Sequence, residues 1–118
     1  MSDDDATTDP DAGSEANDAN TDGDAEAVLE ELFAVIESRK ANLPEGSYTT
    51  RLFTHKKGEN YVLEKLGEEA TEILLAAKDD DTEELAAESA DFVYHLLVLL
   101  SMKEMEPEDL LAELRARR

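Results

Sequence analysis

The chain has 118 residues, enough for one domain, and carries 31 acidic against 11 basic residues, a formal net charge of −20. That balance excludes a nucleic-acid binder, which needs clustered Lys and Arg to meet phosphates, and a surface that docks on anionic lipid. With no cysteine, disulfides and thiolate metal sites are excluded as well.

Self-repulsion on this scale opposes a compact state at low ionic strength. At about 1 M salt the Debye length contracts to about 3 Å, so the charge reads as adaptation to a salt-rich cytoplasm. No apolar run reaches the roughly 18 residues of a membrane span, and the N-terminus lacks the basic start and apolar stretch of a signal peptide. The expectation is a soluble, cytoplasmic protein.

Residues 1–23 are Asp, Ala, Thr, Gly, Ser and Asn with almost nothing apolar larger than Ala. Such a segment buries too little surface to offset its ordering entropy, which predicts a disordered acidic tail ahead of a single domain over 24–118. Asp24 is placed to cap a first helix running to about Lys40. Val28, Leu29, Leu32, Phe33 and Ile36 recur along it at helical spacing and form one apolar stripe. Pro44 and Gly46 then mark a break.

Ser47 to Gly58 is polar and hydroxyl-rich, and it holds Arg51, His55, Lys56 and Lys57 together in an otherwise acidic chain. It reads either as a loop balancing nearby acids or as a phosphate-binding patch. A second helix is predicted from Glu59 to about Lys78, with Tyr61, Val62, Leu66, Ile73 and Ala77 inward. Gly67 lies in its interior, where it costs about 0.8–1 kcal/mol relative to Ala, so packing or the approach of a ligand must favour it. Asp81 and Glu84 are spaced as a capping box for a third helix, Thr82 to about Lys103. After Asp91 that helix is apolar on nearly every side, which calls for burial all round and hence for a homodimer. Pro107 opens a last helix carrying Leu110, Leu111 and Leu114. No strand pattern emerges, so the prediction is an all-α bundle of about four helices.

Two acidic motifs stand out: Glu68-Glu69-Ala70-Thr71-Glu72 and Glu88-Ser89-Ala90-Asp91. In each, carboxylates at i and i+3 share one helix face, with Cβ atoms about 5–6 Å apart. Glu106 and Asp109 match the same spacing, so spacing alone does not single out a site. The company of the two motifs does, because Glu69 lies between Leu66 and Ile73 and Asp91 precedes a long apolar stretch. Carboxylates in a core are unfavourable unless something positive compensates them. Glu69, Glu72, Glu88 and Asp91, on consecutive antiparallel helices, fit a hard cation such as Mg²⁺, which takes oxygen ligands. Only one imidazole is close by, so zinc fits less well. That imidazole, His95, reads as a partner orienting Asp91, as a phosphate contact, or as an ordinary core histidine.

Glu69-x-x-Glu72, fifteen residues, then Glu88-x-x-Asp91 resembles the metal signature of the all-α nucleoside-triphosphate pyrophosphohydrolase (MazG-like) superfamily. Gly46-Ser47-Tyr48-Thr49, Gly58, Lys65-Leu66-Gly67-Glu68-Glu69 and Asp91-Phe92-Val93-Tyr94-His95 are similar, in order, to the phosphoribosyl-ATP pyrophosphatase family. The likeness covers about residues 26 to 115 and departs from the family at Tyr61 and Glu64, where basic residues are frequent. It implies Mg²⁺-dependent hydrolysis of the nucleotide phosphoribosyl-ATP to phosphoribosyl-AMP and pyrophosphate, the second step of histidine biosynthesis, in an all-α homodimer. On that reading Glu69, Glu72, Glu88 and Asp91 bind the metal, and either Glu68 or Glu69 accepts the proton of the attacking water. Arg51, Lys56, Lys57, Lys65 and His95 are candidates for phosphate, and Tyr48 and Thr49 for base or ribose. The alternatives are a house-cleaning pyrophosphohydrolase of the dCTP or dUTP type and a non-catalytic acidic dimerisation module.

Overall fold

The computed structural model describes residues 23–118, so the expected tail over 1–23 lies, Gly23 apart, outside the described residues. Five helices follow one another: α1 (Asp24–Asn42), α2 (Tyr48–Thr54), α3 (Glu59–Lys78), α4 (Thr82–Met102) and α5 (Pro107–Ala116). Among the described residues there is no strand. The helix beyond the expected four is α2, inside the segment read as a loop. Ser47 caps it by accepting a hydrogen bond from the Thr50 backbone N–H at 3.3 Å. Its seven residues include three β-branched threonines, so its periodicity is too short to read. Thr49 and Leu52 are fully buried there, and this packing holds the turn in place.

Asp24, expected to cap α1, is instead its first helical residue, where its charge suits the helix dipole; the N-cap is Gly23, with no side-chain cap bond. The later helices begin on local signals. Gly58 precedes α3 with φ 62° and ψ −140°, a conformation a residue with a Cβ rarely adopts. At α4, Asp81 accepts from the Glu84 N–H at 3.0 Å. The expected capping box there is only half formed, and the Glu84 carboxylate lies near Glu88 instead. A full box does form at α5, between Glu106 and Asp109 across Pro107. The accidental match to the metal spacing therefore has a capping role.

The core joins Phe33 and Ile36 of α1, Tyr48 and Leu52 of α2, Val62 of α3, and Tyr94, Leu97, Val98 and Leu100 of α4. Val28, expected in the α1 stripe, is exposed, and in α3 Ala76 is buried in place of Ala77. A partly buried polar clasp around Ser101 fixes α1 to α4. Lys40 Nζ donates to the Ser101 carbonyl at 2.8 Å, and Ser101 Oγ donates to Glu37 Oε2 at 2.8 Å. By length and hydropathy α4 is long and apolar enough to cross a membrane, contrary to the expectation that no segment would be. The core helix of a globular protein meets the same criterion, and α4 buries Glu88 and Asp91 along with its apolar residues.

Candidate active site

α3 and α4 form an antiparallel hairpin, which sets their two acidic motifs side by side. Carboxylate oxygens of Glu72, Glu84 and Glu88 lie within 4.8 Å of one another. One turn further in, Glu69 on α3 is 5% exposed and Asp91 on α4 is 7% exposed. The four expected ligands therefore line one face-to-face stretch of the hairpin, and Glu84 joins them at its outer end. Sequence reasoning missed Glu84 because its spacing to Asp81 explained it as a cap. The usable signal was its i, i+4 relation to Glu88, which puts the two on one helix face.

Glu88 carries the clearest mark of frustration. It is 6% exposed, and its Oε1 has no hydrogen-bond partner. Burial pushes its carboxyl up from the ordinary 4.5 to about 7, aided by the hydrogen bond with Glu84 and by the charges of Asp91, Glu84 and Glu72. Carboxyl groups crowded together with no positive charge among them are relieved by a proton or by a cation. An all-oxygen set with an orphaned buried acceptor fits a hard divalent ion.

Behind the carboxylates runs a buried hydrogen-bond chain. His95 is fully buried; its Nδ1 meets Glu69 Oε1 at 2.8 Å and its Nε2 meets the Tyr48 hydroxyl at 2.8 Å. With Glu69 ionised, Nδ1 carries the proton and donates to the carboxylate, and the Tyr48 hydroxyl donates to Nε2. Of the three readings of His95, the geometry combines a core histidine with an orienting partner, and the carboxylate it orients is Glu69 rather than Asp91. Beside it the hydroxyls of Thr49 and Tyr94 are hydrogen-bonded to each other. Tyr48 and Thr49, expected to meet base or ribose, are thus buried with their hydroxyls turned inward. They tie α2 to α4 and support His95.

The basic residues divide. Arg51 is exposed and its guanidinium lies 5.2 Å from the centre of the Tyr48 ring, next to the buried chain. Lys65 is buried, with its ammonium 3.4 Å from Glu68 Oε1. Lys57 is paired with Glu64 at 3.0 Å, while Lys56 is exposed in the turn before α3. His55 stacks on Tyr61 with ring centres 3.9 Å apart, so Tyr61 and Glu64 both engage the basic segment. Gly67 is helical, and a Cβ built on it meets nothing within 4 Å. Packing inside the chain therefore does not account for it.

A profile of the phosphoribosyl-ATP pyrophosphohydrolase family matches residues 15–118. The chain belongs to this family. It is 79% identical over 91 residues to a phosphoribosyl-ATP pyrophosphatase of Haloarcula marismortui, covering 77% of this chain and 93% of that one. It is 76% identical over 95 residues to one of Natronomonas pharaonis, covering 80% and 94%. Outside the halophiles, one of Methanocella arvoryzae is 48% identical over 91 residues, covering 77% and 96%. Family members therefore span salt-loving and other archaea, and the highest identities here fall among the former.

Proposed function

We propose that the chain hydrolyses phosphoribosyl-ATP to phosphoribosyl-AMP and pyrophosphate, the second step of histidine biosynthesis. Family membership supports the reaction. The observation that carries the assignment of the site is the row of carboxylates on the α3–α4 hairpin, with Glu69 held by a buried histidine.

Glu69, Glu72, Glu88 and Asp91 would hold Mg²⁺. The ion, when bound, neutralises charge on the triphosphate and acidifies a coordinated water. His95 occupies one oxygen of Glu69 and fixes the carboxylate plane, leaving the second oxygen for the ligand side. In the reaction the oxygen of a water bonds to the α-phosphorus and the bond from that phosphorus to the α–β bridging oxygen breaks. Pyrophosphate leaves with that bridging oxygen. The water's proton passes to a carboxylate, and an oriented, buried Glu69 suits that role better than Glu68, which is exposed and paired with Lys65. Arg51, exposed beside Tyr48, supplies positive charge for phosphate oxygens, whereas buried Lys65 does so only by leaving Glu68. Lys57 already has Glu64 as its partner, so its contribution requires that pair to open.

The same reading takes the protein as a homodimer in a salt-rich cytoplasm. Leu63, Gly67, Ala70 and Leu74 fall on one stripe of α3; Leu63 is 42% and Leu74 66% exposed, and α4 adds Val93 at 38%. A second copy covering these residues would complete the burial that an apolar α4 calls for. The deciding experiment follows pyrophosphate release from phosphoribosyl-ATP, dCTP and dUTP, with and without Mg²⁺, across a series of KCl concentrations. Turnover restricted to phosphoribosyl-ATP and dependent on Mg²⁺ is expected. Preference for dCTP or dUTP would reassign the substrate, and no release from any of them would favour a dimerisation module.

A further inference from the structure

We propose that Glu84 forms, with Glu72 and Glu88, an outer divalent-cation subsite at the open end of the α3–α4 hairpin, separate from the inner position of Glu69 and Asp91. The inference rests on the pyrophosphohydrolase reading above and adds a residue and a second ion to it. Three observations converge. Glu72, Glu84 and Glu88 have carboxylate oxygens within 4.8 Å of one another, bringing one exposed, one half-buried and one buried group to a single point. Glu88 Oε1, in a side chain that is more than nine-tenths buried, has no hydrogen-bond partner. The Glu84 side chain is also free of its helix-capping duty, which its backbone N–H performs alone by donating to Asp81.

Geometry and charge both ask for a second ion. Glu84 and Asp91 are seven residues apart on α4, a rise of about 10.5 Å at about 1.5 Å per residue. An octahedral Mg²⁺ has its ligands at about 2.1 Å, so the oxygens it gathers are no more than about 4.2 Å apart. An ion seated among Glu72, Glu84 and Glu88 is centred toward the outer end of the row, with Asp91, two turns from Glu84, at the inner end. Together Glu69, Glu72, Glu84, Glu88 and Asp91 carry five negative charges when ionised. One divalent ion leaves three, facing a triphosphate; two leave one. Glu72 and Glu88 lie between the two ends of the row and are the groups able to serve both.

The test titrates Mn²⁺ into the full-length protein in about 2 M KCl, which screens diffuse attraction to the acidic surface. Free Mn²⁺ is read by electron paramagnetic resonance, with no substrate present. The wild type is expected to show two saturable classes of site. Glu84→Gln should weaken one class about tenfold or more and leave the other within about twofold. Asp91→Asn should weaken the class that Glu84→Gln spares. Glu83→Gln removes a charge one residue away, on an exposed group outside the cluster, and should change neither. A single class that Glu84→Gln leaves unaltered would overturn the outer subsite while leaving the inner metal site standing. Equal weakening by Glu83→Gln and Glu84→Gln would also overturn it, by showing a surface-charge effect. No saturable Mn²⁺ in the wild type would remove both the subsite and the metal site beneath it.

Discussion

Replacing His95 by Phe tests the buried chain behind the carboxylates. Phe keeps roughly the volume of the ring and deletes both nitrogens. The bond to Glu69 involves a charged acceptor and is worth about 1.5–3 kcal/mol, and that to the Tyr48 hydroxyl about 0.5–1.5 kcal/mol. Both partners are at least 94% buried, since Glu69 is 5% and Tyr48 6% exposed, so water does not readily replace the lost donor. A loss of about 2–4.5 kcal/mol follows, a large share of the 5–15 kcal/mol typical of a whole domain. Urea unfolding of metal-free protein at fixed KCl measures it. Tyr48→Phe alone should remove about 1–2 kcal/mol, because it leaves His95 Nε2 without its donor. In the His95→Phe background the same change should remove at least about 1 kcal/mol less, since that bond is already gone. Additivity of the two changes to within about 0.5 kcal/mol would refute the chain.

Asp91→Ala should lower pyrophosphate release by at least about a hundredfold with helical circular dichroism preserved, and near-normal turnover would remove Asp91 from the site. The folded Glu88 carboxyl sits near 7, above its ordinary 4.5, so the fold binds more protons than the unfolded chain between these values. The stability Glu88 contributes is complete below pH 4.5 and is lost as pH rises through 7; metal-free protein should melt progressively lower across that window. Glu88→Gln should flatten the trend, and an unchanged slope would count against the buried, frustrated carboxyl. Mg²⁺ should raise the melting midpoint more at pH 8 than at pH 6, because below pH 7 it competes with that proton. Leu74→Glu should halve the mass seen by light scattering, and an unaltered mass would place any dimer contact elsewhere.

The three long helices and α5 were legible because each carries signals locally: Asp81 and Pro107 at starts, Pro44 and Gly46 at a break, and an apolar stripe of period 3.6 between them, although Asp24 lies in the first turn of α1 and does not cap it. The short α2 was not, since seven residues with three threonines have no periodicity of their own and depend on burial of Thr49 and Leu52. Val28 and Ala77 show the limit of stripes, which say that a helix has an inner side but not how far a neighbour covers it.

The same division runs through the candidate site. Carboxylates at i, i+3 on two successive helices are a property of the chain alone, because a helix turns those residues to one face whatever surrounds it. Which imidazole bonds to which carboxylate is not, since Glu69 and His95 are 26 residues apart and meet only when the hairpin closes. Nor could local spacing show that Glu84 turns toward Glu88, or that burial lifts one carboxyl of the row to about 7. Side-chain partners and proton affinities depend on what lies across the gap and on how much water remains there, and both are set by the packed fold.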